Sequence, residues 1–69
     1  FSDIRLKTNI EFIGKSPSNI NIYSFSYIGN PTKYVGVMAH EVPWASEKHS
    51  SGYLMVDYNK LDVEFKRLN

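Results

Sequence analysis

A chain of 69 residues without a single cysteine has to find its stability without disulfides or a thiolate-bound metal. A domain of this size buries only about 60% of the surface that its unfolded chain exposes. Its own core is a marginal source of stability, and association with further chains is the common device that remains. Size and composition alone therefore predict a partner chain.

Charge does not name that partner. Eight Lys and Arg residues stand against seven Asp and Glu, and neither sign forms a run of five. This excludes the basic footprint of a nucleic-acid binder and the polybasic patch of a membrane-surface protein. Apolar stretches stay far short of the roughly 20 residues that cross a bilayer, and the start lacks the basic-then-apolar layout of a secretory leader. His40 and His49 lie nine apart with no grouped carboxylates, which fits no zinc pattern, so neither a metal nor a cofactor is expected. The expectation is a soluble domain.

Periodicity outlines a small α+β fold. Residues 2–13 fit two templates: Ile4, Leu6, Ile10 and Phe12 alternate as in a strand, while Leu6, Ile10 and Ile13 have helical spacing. The favoured reading is a short N-terminal helical turn capped by Ser2 or Asp3. Gly14 to Asn19 is turn chemistry, and residues 20–28 form the clearest strand, with Tyr23, Phe25 and Tyr27 on one face. A turn at Gly29 to Pro31 leads to a return strand from Tyr34 to Met38. Pro43 keeps any helix begun at Ala39 short, residues 46–52 read as a polar loop, and Tyr53 to Val56 as a third strand. Beyond Asp57, the residue expected to cap a last helix, Tyr58, Leu61, Phe65 and Leu68 recur at the spacing of a helix seam. That C-terminal helix would pack either on the domain's own sheet or around a threefold axis. The whole is an antiparallel β-meander flanked by two helical pieces, one domain over residues 1–69.

Three motifs in order resemble those of a known family. Ser2-Asp3-Ile4-Arg5-Leu6-Lys7, followed by Asn9-Ile10, is similar to the opening signature of the chaperone-of-endosialidase family, also classed as self-cleaving serine peptidases. Gly36-Val37-Met38-Ala39-His40-Glu41-Val42 resembles a second family segment, with His40 where glutamine is usual, and Gly52 to Tyr58 resembles the strand that leads into the family's final helix. The resemblance implies an intramolecular chaperone at the C-terminus of a phage tail fibre or spike. Such a domain assists homotrimerisation of the upstream fibre and is then released by cleavage ahead of the signature serine. Here the scissile bond would be Phe1–Ser2, cut in a precursor assembled in the host cytoplasm.

The resemblance also implies roles. Ser2 would be the nucleophile and Lys7 its general base, since a serine hydroxyl needs a base and a neutral lysine is one of the known solutions. From a position just outside a helix, Ser2 could be reached by Lys7 leaning back from the second turn, with the helix dipole and Arg5 lowering the lysine pKa. An extended segment would instead put Ser2 and Lys7 on opposite faces. Asp3, Arg5 and His40 would shape the site, and Tyr58, Leu61, Phe65 and Leu68 would make trimer contacts. Two rival readings are a structural trimerisation cap that is not cleaved, and a receptor-binding fibre tip that grips glycan with Trp44 and the tyrosines. Without the resemblance, Ser2 and Asp3 are plain capping residues and Lys7 a surface cation.

Overall fold

A computed structural model of the chain describes residues 1–69. Every element but the strands is a single three-residue 3-10 turn. The first, Ile4–Leu6, is capped by the Asp3 side chain, which accepts from the Arg5 amide at 3.0 Å. It delivers the chain directly into β1, Lys7–Lys15. Of the two templates that residues 2–13 satisfy, the strand prevails from Lys7 on; the helical set of Leu6, Ile10 and Ile13 is not realised, and the one turn before β1 follows from the Asp3 cap.

β1 pairs antiparallel with β2, Asn21–Tyr27, and β2 with β3, Lys33–Gly36. The β1–β2 connection is a tight turn in which Asp62, from the other end of the chain, accepts from both the amide and the hydroxyl of Ser18 at 2.8 and 2.7 Å. Between β1 and β2 the register runs Lys7 opposite Tyr27 and Thr8 opposite Ser26, then slips between Thr8 and Glu11. Asn9 takes φ 52° at that slip, a left-handed conformation that Asn tolerates better than most residues. A second slip lies between Phe12 and Gly14.

After β3 come two 3-10 turns, Ala39–Glu41 and Pro43–Ala45. The proline opens the second, where its missing amide costs nothing. Residues expected as a polar loop begin instead with β4, Ser46–Lys48, which pairs with β5, Leu54–Val56, as a separate two-stranded sheet.

The C-terminal helix expected from Tyr58, Leu61, Phe65 and Leu68 is not formed. Asp57 does cap, accepting from the Asn59 amide at 3.0 Å, but the turn it caps is only Tyr58–Lys60 and ends at Leu61 in extended backbone. A twelve-residue helix is marginal unless packing holds it, and here the competing contacts are better. Lys66–Arg67 form β6 and complete the four-stranded order β1-β2-β3-β6, while Leu68 donates its amide to the Lys33 carbonyl at 2.8 Å. Tyr58 and Leu61 pack inward on the core, whereas Phe65 and Leu68 remain exposed.

Ile20, Val37, Val42, Ala45 and Val63 form the aliphatic core. Beside it lies an aromatic cluster in which Phe25 meets Tyr27 edge-on at 5.5 Å and Tyr34 stacks on Phe65 at 5.2 Å. The molecule is a slab of 30 × 29 × 15 Å with 14 buried residues, one side-chain layer deep. Ile10, Phe12 and Ile13 lie exposed on β1, an edge strand of the larger sheet. No helix is long and apolar enough to cross a membrane.

Gly36 shows how tightly this layer is filled. A Cβ there would lie 2.5 Å from the Tyr58 hydroxyl and 3.1 Å from Phe65 Cδ1. Gly36→Ala is expected to lower stability by about 1–3 kcal/mol, the usual cost of overpacking, read as a drop in melting temperature by circular dichroism.

Candidate functional site

Ser2 and Asp3 are threaded between the two sheets. Ser2 donates its amide to the Leu54 carbonyl of β5 at 3.1 Å, and its own carbonyl accepts from the Ala39 amide at 2.9 Å. Asp3 completes the attachment by accepting from the Leu54 amide at 2.9 Å. Ser2 is consequently only 2% exposed and Asp3 3%. The sequence places polar residues where the fold has buried seams, and each buried polar side chain there has a partner.

Asp3 is the anchor of this segment. Besides Leu54 it takes the Arg5 amide and a two-pronged contact from the Arg5 guanidinium at 2.9 and 2.7 Å. The Arg5 contact, reinforced by the two backbone donors, outweighs burial and holds the Asp3 carboxyl well below the usual carboxylate range. Arg5 itself stays exposed, lies over the Tyr53 ring at 4.9 Å and donates to the Gly52 carbonyl at 3.0 Å. It thereby ties the β4–β5 turn to the N-terminal segment.

Lys7 is not a surface cation. As the first residue of β1 it turns its side chain inward and is 6% exposed. Its Nζ donates to the Val37 carbonyl at 2.8 Å and contacts Met38 Sδ at 3.7 Å, with the Phe25 ring centroid 4.0 Å away. One neutral carbonyl and a ring face are poor compensation for lost water. Burial accordingly pushes the Lys7 pKa down from 10.5 to about 8, against a smaller opposing pull from Asp3. The helix dipole and Arg5, the causes expected from sequence, do not do this: a three-residue turn has no macrodipole, and Arg5 spends its charge on Asp3.

Ser2 Oγ and Lys7 Nζ do not hydrogen-bond directly. They are linked through the backbone of one residue, Val37, Ser2 by way of Tyr58 and Lys7 directly. The Tyr58 hydroxyl lies 3.2 Å from Ser2 Oγ and accepts from the Val37 amide at 3.0 Å, while Lys7 holds the Val37 carbonyl. Tyr58, read from sequence as one rung of an interface helix, is thus a side-chain partner of Ser2.

Two further residues at the site were not foreseen as site residues. Tyr27 donates its hydroxyl to the Phe1 carbonyl at 2.5 Å, and burial, with smaller contributions from Tyr58 and Tyr34, raises its pKa to about 12. Val37 acts through its backbone alone, which no side-chain pattern reports. The register could have pointed to Tyr27, because it faces Lys7 across the β1–β2 ladder. His40 is exposed and makes no hydrogen bond, and its neighbour Glu41 accepts from the Tyr23 hydroxyl at 2.9 Å. Trp44 is exposed on its own turn. Around Phe1 an open depression of about 720 Å³ is lined by Arg5, Leu6, Tyr27, Ile28, Tyr34, Tyr53 and Phe65.

The arrangement supplies a buried hydroxyl next to a peptide carbonyl, a donor on that carbonyl, and an amine that loses its proton readily. A family model described as chaperone of endosialidase, a peptidase family, matches residues 2–50. No curated protein and no solved structure matches the chain.

Two predictions test the electrostatics. The folded state gives up the Lys7 proton at about pH 8 and the unfolded chain near 10.5, so the unfolded state binds more protons between these values and stability rises with pH there. Lys7→Met should flatten this rise, on the order of 3 kcal/mol, in melting curves taken across pH 7.5–10.5, a window set by those two values. Asp3→Ala strands the Leu54 amide and should cost about 2–4 kcal/mol in urea titrations at pH 7. Because the folded pKa of Asp3 is depressed, its contribution is present above the unfolded value of 3.8 and is lost as pH falls below it.

Proposed function

The chain belongs to the chaperone-of-endosialidase family, and from that membership we propose that it is the intramolecular chaperone of a phage tail fibre or spike that releases itself at the Phe1–Ser2 bond. Ser2 is the nucleophile and Lys7 the general base. The observation that carries this reading is the buried Lys7 amine, pushed to about 8 and hydrogen-bonded to the carbonyl of Val37, whose amide holds the Tyr58 hydroxyl beside Ser2 Oγ.

Ser2 Oγ adds to the Phe1 carbonyl carbon, the carbonyl pair moves onto oxygen, and the hydroxyl proton passes to neutral Lys7. Collapse breaks the Phe1–Ser2 carbon–nitrogen bond, and the Lys7 ammonium returns the proton to the leaving nitrogen. The acyl group now sits on Ser2 Oγ as an ester. Water hydrolyses it, with Lys7 again as base, leaving a carboxylate on Phe1 and a free amine on Ser2. Before the first step, Lys7 Nζ has to exchange the Val37 carbonyl for Ser2 Oγ.

That exchange is where assembly acts. Three copies coming together would cover the one-layer slab, in which Ile10, Phe12 and Ile13 remain exposed on an edge strand. Phe65 and Leu68 are available for the same contact. A contact made by β1 bears on Lys7, the first residue of that strand, and would draw its amine off the Val37 carbonyl. Cleavage thus follows homotrimerisation, in a precursor assembled in the host cytoplasm with its upstream fibre domain still attached. The absence of a direct Ser2–Lys7 hydrogen bond favours a second reading, a trimerisation cap that stays uncleaved.

Mass spectrometry of a chain extended upstream of Phe1 decides between them. The expected product begins at Ser2, is absent in Ser2→Ala and Lys7→Met, and forms faster as pH rises through about 8, the pH at which Lys7 loses its proton. An intact chain in a well-formed trimer would establish the cap.

A further inference from the structure

We infer that Tyr27 is a catalytic residue of the self-cleavage, its hydroxyl being the donor that stabilises the oxyanion formed on the Phe1 carbonyl. This rests on the proposed reaction and adds to it the group that neither the signature serine nor the lysine provides. The Tyr27 hydroxyl already donates to the oxygen on which charge would develop, at 2.5 Å. That distance lies at the short end for a phenol on a neutral carbonyl and within the range of charge-assisted bonds. Addition of Ser2 Oγ pyramidalises the carbonyl carbon and moves its oxygen little, so the donor is in place before charge appears.

The donor is held rigidly. Tyr27 ends β2 and faces Lys7 on the β1–β2 ladder, so base and donor are carried by a single rung. Its ring meets Phe25 edge-on at 5.5 Å and Tyr34 at 5.4 Å. The next residue, Ile28, donates its amide to the Leu6 carbonyl at 2.9 Å, which fixes the strand end against the turn before Lys7. The acceptor is equally constrained, because Ser2 is fastened on both sides by Leu54 and Ala39. With its pKa raised to about 12, the phenol keeps its proton throughout the range in which Lys7, at about 8, becomes neutral.

No proton is transferred to or from Tyr27. In the tetrahedral adduct its O–H donates to the oxygen that took the carbonyl electron pair. When that pair returns and the carbon–nitrogen bond breaks, the same hydrogen bond falls on the ester carbonyl. The role is electrostatic and is repeated in hydrolysis of the ester.

The test uses the upstream-extended chain and follows the Ser2-starting product over time by mass spectrometry. Tyr27→Phe removes only the hydroxyl and should slow cleavage about 10²–10³-fold, the typical cost of losing one oxyanion donor. Oligomeric state and the pH midpoint set by Lys7 should stay unchanged, and the melting temperature should fall by no more than the few degrees that one hydrogen bond represents. Fluorinated tyrosines at position 27, which fold as tyrosine does, grade the donor strength. Rates that increase with phenol acidity below its ionisation support the role, and this readout also holds if Tyr27→Phe fails to fold. Rates indifferent to both changes, in a chain that cleaves normally and depends on Ser2, would overturn the Tyr27 assignment alone. A chain that never cleaves as a trimer would overturn the reaction and Tyr27 with it.

Discussion

The backbone of Ser2 joins the two sheets. Its amide is bound to Leu54 in the small β4–β5 sheet, and its carbonyl is bound by Ala39 just after the large sheet ends. With only a single layer of side chains between its faces, the molecule depends on such polar seams as much as on its core of Ile20, Val37, Val42, Ala45 and Val63. Asp3, Arg5 and Gly52 extend the seam by one more connection. The segment that holds the sheets together is the one that carries the bond proposed for cleavage. Under the proposed reaction, strength and chemistry share the same few residues, and substitutions in this segment would have two effects at once.

What was legible in the sequence follows from how local each signal is. The strand around Tyr23, Phe25 and Tyr27 was plain because aromatic residues at alternate positions have few other uses. The cap at Asp3 and the short turns around Pro43 were legible for the same reason: capping and proline act over three or four residues. The tail misled because Tyr58, Leu61, Phe65 and Leu68 fit a helix seam equally well when two of them point into a core and two lie on an extended edge. Whether Lys66 and Arg67 pair with Tyr34 and Val35 is a long-range contest, and spacing within the tail does not record it.

The site was legible only in its side-chain part. Ser2, Asp3, Arg5 and Lys7 form a compact run, but the physical cause of the Lys7 shift is burial against Val37, Met38 and Phe25, none of which is near it in the chain. Tyr58 and Tyr27 reach the site from 56 and 26 residues away from their respective partners. Tyrosine patterns read as packing because the ring dominates the periodicity, while it is the hydroxyl at the far end that hydrogen-bonds Ser2 and Phe1.

The two register slips in β1 divide the hairpin into unequal parts. On one side lie the rungs at Lys7 and Thr8; on the other, beyond the left-handed Asn9 and again beyond Gly14, lie the rungs that lead to the turn. An antiparallel ladder without such slips transmits every inserted or deleted residue to its far end and flips the faces there. A ladder that changes register twice accommodates such changes locally. The loop end of the hairpin thereby takes its register from its own anchor, the Asp62 carboxylate on Ser18, while the opposite end keeps its geometry.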